Sequence, residues 1–141
     1  IACYFPIGSE VKTHDIMLDI LKQGKNLLLP RIIDDDIQFY IVSNLERLEK
    51  GSFEIMEPRD SCERAKKIDC ILIPTVGVSK LGTRLGYGKG YYDRFLSSTD
   101  TVKISLTYSK QIVKSIPSDS HDIKIDWIIT EDKTVKISQV S

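Results

Sequence analysis

Two runs of the chain are apolar without interruption, Leu27-Leu28-Leu29 and Cys70-Ile71-Leu72-Ile73, and each is expected to be ended by a proline, Pro30 or Pro74. Runs of this length with no polar alternation predict short strands buried on both faces. Ile1-Ala2-Cys3-Tyr4-Phe5 reads the same way, so the chain opens on a buried strand and a preceding segment is expected. Further strands are predicted over 37–42, 101–106 and 127–130. An acidic turn, Asp34-Asp35-Asp36, precedes the first of these and is expected to be solvated.

Between these strands the spacing changes to that of a helix. Ile16, Met17, Ile20 and Leu21 share one helical face, with Thr13 as a cap, Asp15 in the first turn and Lys22 and Lys25 at the end. Gly24 offers a left-handed stop. A second helix is predicted through Tyr92, Phe95 and Leu96. Residues 45–67 are mostly polar and broken by Gly51 and Pro58; they are expected to form loop with one or two short helical pieces. Buried strands alternating with helices predict a single α/β domain over 1–141, with three layers and a mostly parallel central sheet.

Composition narrows the possible chemistry. Twenty basic residues balance twenty acidic ones, which leaves no bulk charge to attract nucleic acid or an acidic membrane. Cys3, Cys62 and Cys70 are odd in number and form no CxxC pair, so they predict reduced thiols in a cytoplasmic protein, without a zinc site. No apolar run is long enough to span a bilayer. His14 and His121 are far apart and suggest no metal pair, and Trp127, in an apolar strand, is expected in the core.

The informative stretch is Gly82-Thr83-Arg84-Leu85-Gly86-Tyr87-Gly88-Lys89-Gly90-Tyr91-Tyr92-Asp93-Arg94. A glycine-rich loop is expected over 77–90, and its glycines at 86, 88 and 90 let several backbone N–H groups approach one anion, ahead of a helix. No acidic residue lies between Asp69 and Asp93, whereas Lys80, Arg84 and Lys89 are basic. The combination predicts a polyphosphate site. It is not a Rossmann fingerprint, because position 91 is tyrosine, nor a Walker A loop, because Gly90 follows Lys89.

The stretch Arg84 to Asp93 resembles the signature of the 5-formyltetrahydrofolate cyclo-ligase family, also called methenyltetrahydrofolate synthetases. Tyr4 to Pro6 and Glu10-Val11-Lys12-Thr13 resemble that family's folate-side motif. Leu29-Pro30-Arg31, Glu57-Pro58, Ile73-Pro74 and Pro117 through Asp122 fall where its further blocks lie. The resemblance implies conversion of 5-formyltetrahydrofolate to 5,10-methenyltetrahydrofolate with hydrolysis of ATP to ADP and phosphate, through a phosphorylated formyl group. It implies ATP contacts from Arg84, Leu85, Gly86, Tyr87, Gly88, Lys89, Gly90, Tyr91 and Tyr92, with Arg84 and Lys89 catalytic.

Magnesium would be held by Asp93 and Asp122. Folate would meet Phe5, Glu10, Tyr87, Gly88, Lys89, Gly90 and Tyr91. One of Tyr91 and Tyr92 would stack on a ring and the other pack beneath the helix. The partner is a small molecule, with or without a polyglutamate tail, and the expected state is a monomer. The family's basic N-terminal helical segment has no counterpart ahead of Ile1, so this chain reads as N-terminally shortened. The loop Thr75-Val76-Gly77-Val78-Ser79 also departs from the family pattern. Two alternatives stay open: a sugar-phosphate isomerase using the loop for substrate phosphate, and a non-catalytic folate-binding relic.

Overall fold

A computed structural model describes residues 1–46, 48–50, 56–58, 62–86, 90–117 and 123–137, without the side chains of 48–50. After the opening segment come α1 (His14–Lys22), β1 (Leu27–Ile33), β2 (Asp36–Val42), β3 (Leu48–Lys50), β4 (Met56–Pro58) and β5 (Cys70–Ile73). They are followed by β6 (Gly77–Ser79), β7 (Arg84–Leu85), α2 (Tyr91–Leu96), β8 (Val102–Leu106), β9 (Ile112–Val113), β10 (Trp127–Ile129) and β11 (Thr134–Lys136). Among the described residues no helix is long and apolar enough to cross a membrane.

The opening segment is the hinge of the topology. Ala2 forms parallel bridges to Leu28 on one side and to Ile71 on the other. Ala2 N–H donates to Cys70 O at 2.8 Å, and Cys3 N–H donates to Leu28 O at 2.9 Å. The sheet therefore runs β2, β1, opening segment, β5, β8, β10, β11, with parallel pairing inside and antiparallel strands β2 and β11 at the edges. The α/β class and the mostly parallel sheet are as the apolar runs predict.

Alternate residues of each strand enter opposite cores. Leu27, Leu29 and Leu72 pack with Met17 and Ile20 of α1. Leu28, Ile71 and Ile73 pack with Phe39 and with Leu96 of α2. The two helices thus cover opposite faces, which is the three-layer arrangement. Burying each such side chain stabilises the fold by about 1.5–3 kcal/mol. Because the chain leaves the opening segment through α1 toward β1 and leaves β5 through α2 toward β8, the strand order reverses between the opening segment and β5. A crevice is expected at the carboxyl ends of strands at such a point.

The structure corrects several expectations. Pro30 does not end its strand: β1 continues to Ile33, with Pro30 opposite Phe39. Leu28 N–H points to Ile1 O, away from β2, and the Pro30 nitrogen two residues on faces the same way. Its missing donor costs nothing on the β2 side, and Ile32 N–H finds a carboxylate instead, Glu57 Oε2 at 2.9 Å. In 45–67 the described residues form a hairpin of β3 and β4 and an Arg64–Tyr40 bridge, with no helix.

The glycine-rich stretch is not one loop either. β6 pairs with β7 and, in parallel, with β9, because backbone partners outweigh weak local propensity. Thr13 sits at the N-cap position of α1 without capping it, since its buried hydroxyl donates to Tyr4 O at 2.7 Å. Trp127 lies on the sheet's flank, half-buried, with the Lys136 ammonium 5.8 Å from its ring centroid. Gly24 does adopt the left-handed stop, at φ 73°. The acidic turn is exposed, and it also has a partner: Arg94 donates to Asp35 O at 2.8 Å.

Candidate active site

Three loops leave the carboxyl ends of neighbouring parallel strands and meet above the crevice. The opening segment runs into a tight turn closed by Glu10: its N–H reaches Ile7 O at 3.1 Å, and its Oε1 accepts the Ile7 N–H at 2.8 Å. Gly8 allows this turn with φ 55°. Tyr4 OH donates to Val11 O at 2.8 Å and ties the turn to the strand. Glu10 is buried, with 6% of its surface exposed. A carboxylate held this way is a rigid acceptor.

From β5 the chain passes Pro74 into β6 and β7, which present Arg84. Arg84 pairs with Val78, so its side chain shares the inward face with that fully buried valine. Its Nη1 donates to Pro74 O at 2.9 Å, and its Nη2 lies 3.9 Å from Asp93 Oδ1. The guanidinium also sits 5.7 Å from the centroid of the Tyr92 ring. Only 7% of the Arg84 side chain is exposed, against 41% for Asp93.

Electrostatics connect the two loops. Burial lowers the Arg84 pKa from its ordinary value, while Asp93, then Tyr92 and Glu10, support its charge. Burial pushes the Tyr92 phenol far above its ordinary value, opposed by Arg84 and reinforced by Glu10 and Tyr4. Tyr92 therefore lies within the fields of both Arg84 and Glu10.

The third loop follows β8. Gln111 accepts the Tyr108 N–H at 2.8 Å through Oε1 and donates from Nε2 to Val76 O at 3.0 Å. Val76 N–H in turn donates to Leu85 O at 2.9 Å, next to the glycine stretch. Between this loop and the Glu10 turn lies a cleft of about 320 Å³, walled by Glu10 and Lys12 on one side and by Tyr108, Lys110 and Gln111 on the other.

Arg84, Tyr92, Asp93 and Glu10 are thus brought together. Phe5 is partly buried against the core beside Tyr4. Leu85 is 51% exposed. Gly90 precedes α2 in the left-handed region at φ 72°. Both tyrosines are partly buried and pack against the α2-side core. Tyr92 meets Phe39 edge-on at 6.5 Å, and Tyr91 carries the Arg94 guanidinium 5.3 Å from its ring centroid. Tyr87, Gly88, Lys89, His121 and Asp122 lie outside the described residues. The sequence offered no sign of Gln111, Tyr108 or Lys110 here, since they reach the cleft only through the parallel pairing of β5 with β8. Lys12 lay within a recognised block and could have been found.

A sequence profile of the 5-formyltetrahydrofolate cyclo-ligase family matches residues 1–131, which include all three loops. This chain belongs to the 5-formyltetrahydrofolate cyclo-ligase family. It is 32% identical to a mouse (Mus musculus) 5-formyltetrahydrofolate cyclo-ligase over 148 residues, covering 94% of this chain and 73% of that protein. It is 37% identical to the Mycoplasma genitalium cyclo-ligase over 132 residues, covering 92% and 70%. Among solved structures, the NMR structure of Aquifex aeolicus 5,10-methenyltetrahydrofolate synthetase superposes with a TM-score of 0.87 at 36% identity, covering 99% of this chain and 72% of that one. The 5,10-methenyltetrahydrofolate synthetase of Mycoplasma pneumoniae gives 0.70 at 32% identity, covering 91% and 70%. The cyclo-ligase match embraces every strand from β1 to β10, so the crevice and its walls lie wholly inside the family's region.

Proposed function

We propose that the protein converts 5-formyltetrahydrofolate to 5,10-methenyltetrahydrofolate at the expense of ATP, with residues 1–141 acting as one domain. The observation that carries this reading is the Arg84 guanidinium, 7% exposed and held between Pro74 O, Asp93 and the Tyr92 ring with the buried Glu10 carboxylate supporting its charge, in a chain of the cyclo-ligase family. A buried cation beside a glycine-rich stretch suits a phosphoryl group, and a buried carboxylate acceptor suits the N–H groups of a pterin.

In this reading ATP is a substrate. The formyl oxygen attacks the γ-phosphorus and ADP departs, leaving an iminium phosphate. The N10 lone pair then attacks the formyl carbon, the carbon–oxygen bond breaks to release phosphate, and N10 loses its proton. The chain's contribution is positioning and charge. Arg84 and Lys89 face phosphoryl oxygens, and backbone N–H groups over 84–92 add to the cradle. Glu10 orients the pterin ring, and Phe5 with Tyr87, Gly88, Lys89, Gly90 and Tyr91 closes around it.

Magnesium fits the residues present. Asp93 is half-exposed and only loosely paired with Arg84 at 3.9 Å, so its carboxylate is accessible to a cation. Among the described residues no group of three acidic, histidine or cysteine side chains gathers around a metal position. Magnesium needs no such group, since one or two carboxylates plus phosphate oxygens and waters suffice. Asp93 would hold it together with Asp122, and the bound ion would neutralise phosphoryl charge.

Incubation with ATP, magnesium and 5-formyltetrahydrofolate is expected to produce the near-ultraviolet absorbance of the methenyl product. Absence of product beside an active control enzyme, with thermal protection by a phosphosugar and none by ATP with magnesium, would replace this reading with the isomerase alternative.

A further inference from the structure

The cleft between the Glu10 turn and the loop after β8 is graded in charge. Its inner wall carries the buried Glu10 carboxylate, which disfavours any anion placed against it. Its mouth carries Lys12 from one wall and Lys110 from the other, both exposed. Among the described residues neither ammonium has a carboxylate within ion-pair distance. The Lys110 ammonium rests 6.0 Å from the Tyr108 ring centroid. Glu131 lies nearby but is engaged by the Ser109 N–H at 2.6 Å, with Lys110 only a minor influence on its lowered pKa. The floor is held rigid by Gln111, which joins the Tyr108 backbone to Val76 O at 3.0 Å.

Such a gradient suits a ligand with a neutral hydrogen-bonding head and an anionic tail. On the cyclo-ligase reading, on which this inference rests, the substrate has that form: its pterin is neutral and its glutamyl end carries carboxylates. We propose that Lys12 and Lys110 form a carboxylate subsite that takes the glutamyl tail of the substrate, with Tyr108 flanking the path from Glu10 to the mouth. Two lysines on opposite walls, rather than one arginine fork, suit a tail of variable length. An ammonium binds carboxylate as a point charge and does not demand one bidentate geometry. Further γ-linked glutamates would extend outward past Lys110.

The test crosses protein and ligand. Wild type, Lys12→Ala, Lys110→Ala and the double variant are assayed with 5-formyltetrahydrofolate and with the tail-less pteroate analogue, and with a γ-linked triglutamate. Partly exposed charge pairs of this kind change affinity by about three- to ten-fold in combination. In wild type the KM should rise by about that factor when the tail is removed. In the double variant the KM ratio between tailed and tail-less substrates should fall toward one. The preference for the triglutamate should weaken with rising salt in wild type and be lost in the variant. A double variant that keeps the wild-type ratio overturns the subsite while leaving the cyclo-ligase reading intact. A wild type that turns over neither substrate defeats that reading instead, so the two failures are distinguishable.

Discussion

A methyl group added to Gly86 would lie 2.6 Å from Nη1 of Arg84. The glycine stretch and the arginine before it therefore form one packed unit, in which the missing Cβ makes room for a guanidinium. That guanidinium is anchored at the same nitrogen to Pro74 O, at 2.9 Å, so it cannot retreat without breaking a partly buried hydrogen bond.

Gly86→Ala should accordingly impair function more than folding. Gly86 is not among the glycines with positive φ, so its backbone accepts alanine. Arg84 or the turn must shift, and a displacement approaching 1 Å at a phosphoryl-binding group costs on the order of 100-fold in kcat/KM. Steady-state kinetics with ATP varied should show this loss, with a Tm close to wild type. A wild-type KM for ATP and wild-type kcat would remove Arg84 from the phosphoryl site.

Glu10→Gln keeps an oxygen acceptor for the Ile7 N–H while deleting the charge. Stability should change by less than about 1 kcal/mol, whereas KM for the folate should rise by roughly tenfold, the weight of one charge-assisted hydrogen bond. Glu10→Ala should add about 1–3 kcal/mol of destabilisation by stranding that N–H. Urea unfolding beside folate titration separates the two effects. Equal folate affinity in both variants and wild type would place the pterin elsewhere.

Alkali should loosen the fold. Burial pushes the Cys3 thiol up from 9.0 to about 12 and raises Cys70 as well, and it raises Tyr92 above its ordinary 10.0. Each group is neutral when protonated and has a higher pKa folded than unfolded. The stability it contributes is full below the unfolded value and is lost as pH rises toward the folded one. Tm should be flat from neutrality to about pH 9 and decline above it, first through the thiols and then through Tyr92. Cys3→Ala should flatten the early part of that decline. For the same reason Cys3 in the native protein should resist thiol reagents at pH 8.

Thr101 carries a buried hydroxyl with no hydrogen-bond partner among the described residues. Thr101→Val removes that group at nearly constant shape and should stabilise the protein by about 1 kcal/mol. Denaturant unfolding reads this directly, and a loss of stability would mean that the hydroxyl is satisfied in solution.

The strands at the centre of the sheet were legible because both their faces are covered. Leu27 to Leu29 and Cys70 to Ile73 need no polar side, and their composition says so. The helix 14–22 was legible for the converse reason, since Met17 and Ile20 face the core while Leu18 is 47% exposed. The hairpin of β3 and β4 and the sheet of β7, β6 and β9 were not legible. Strands of two or three residues have too little length for a period, and their stability comes from partners remote in sequence. Pro30 misled for a related reason. Whether a missing N–H matters depends on which neighbour it would have faced.

The residue order alone determined the family signature, the local surplus of positive charge between Asp69 and Asp93, and the α/β class, all of which are properties of neighbours along the chain. Only the tertiary structure decided that the Glu10 carboxylate supports the charge of buried Arg84, and that Lys12 and Lys110 line one cleft. Parallel pairing of the opening segment, β5 and β8 sets their carboxyl ends side by side. Those pairings are made by backbone groups that every residue carries, so the side chains they bring together leave no mark in the sequence.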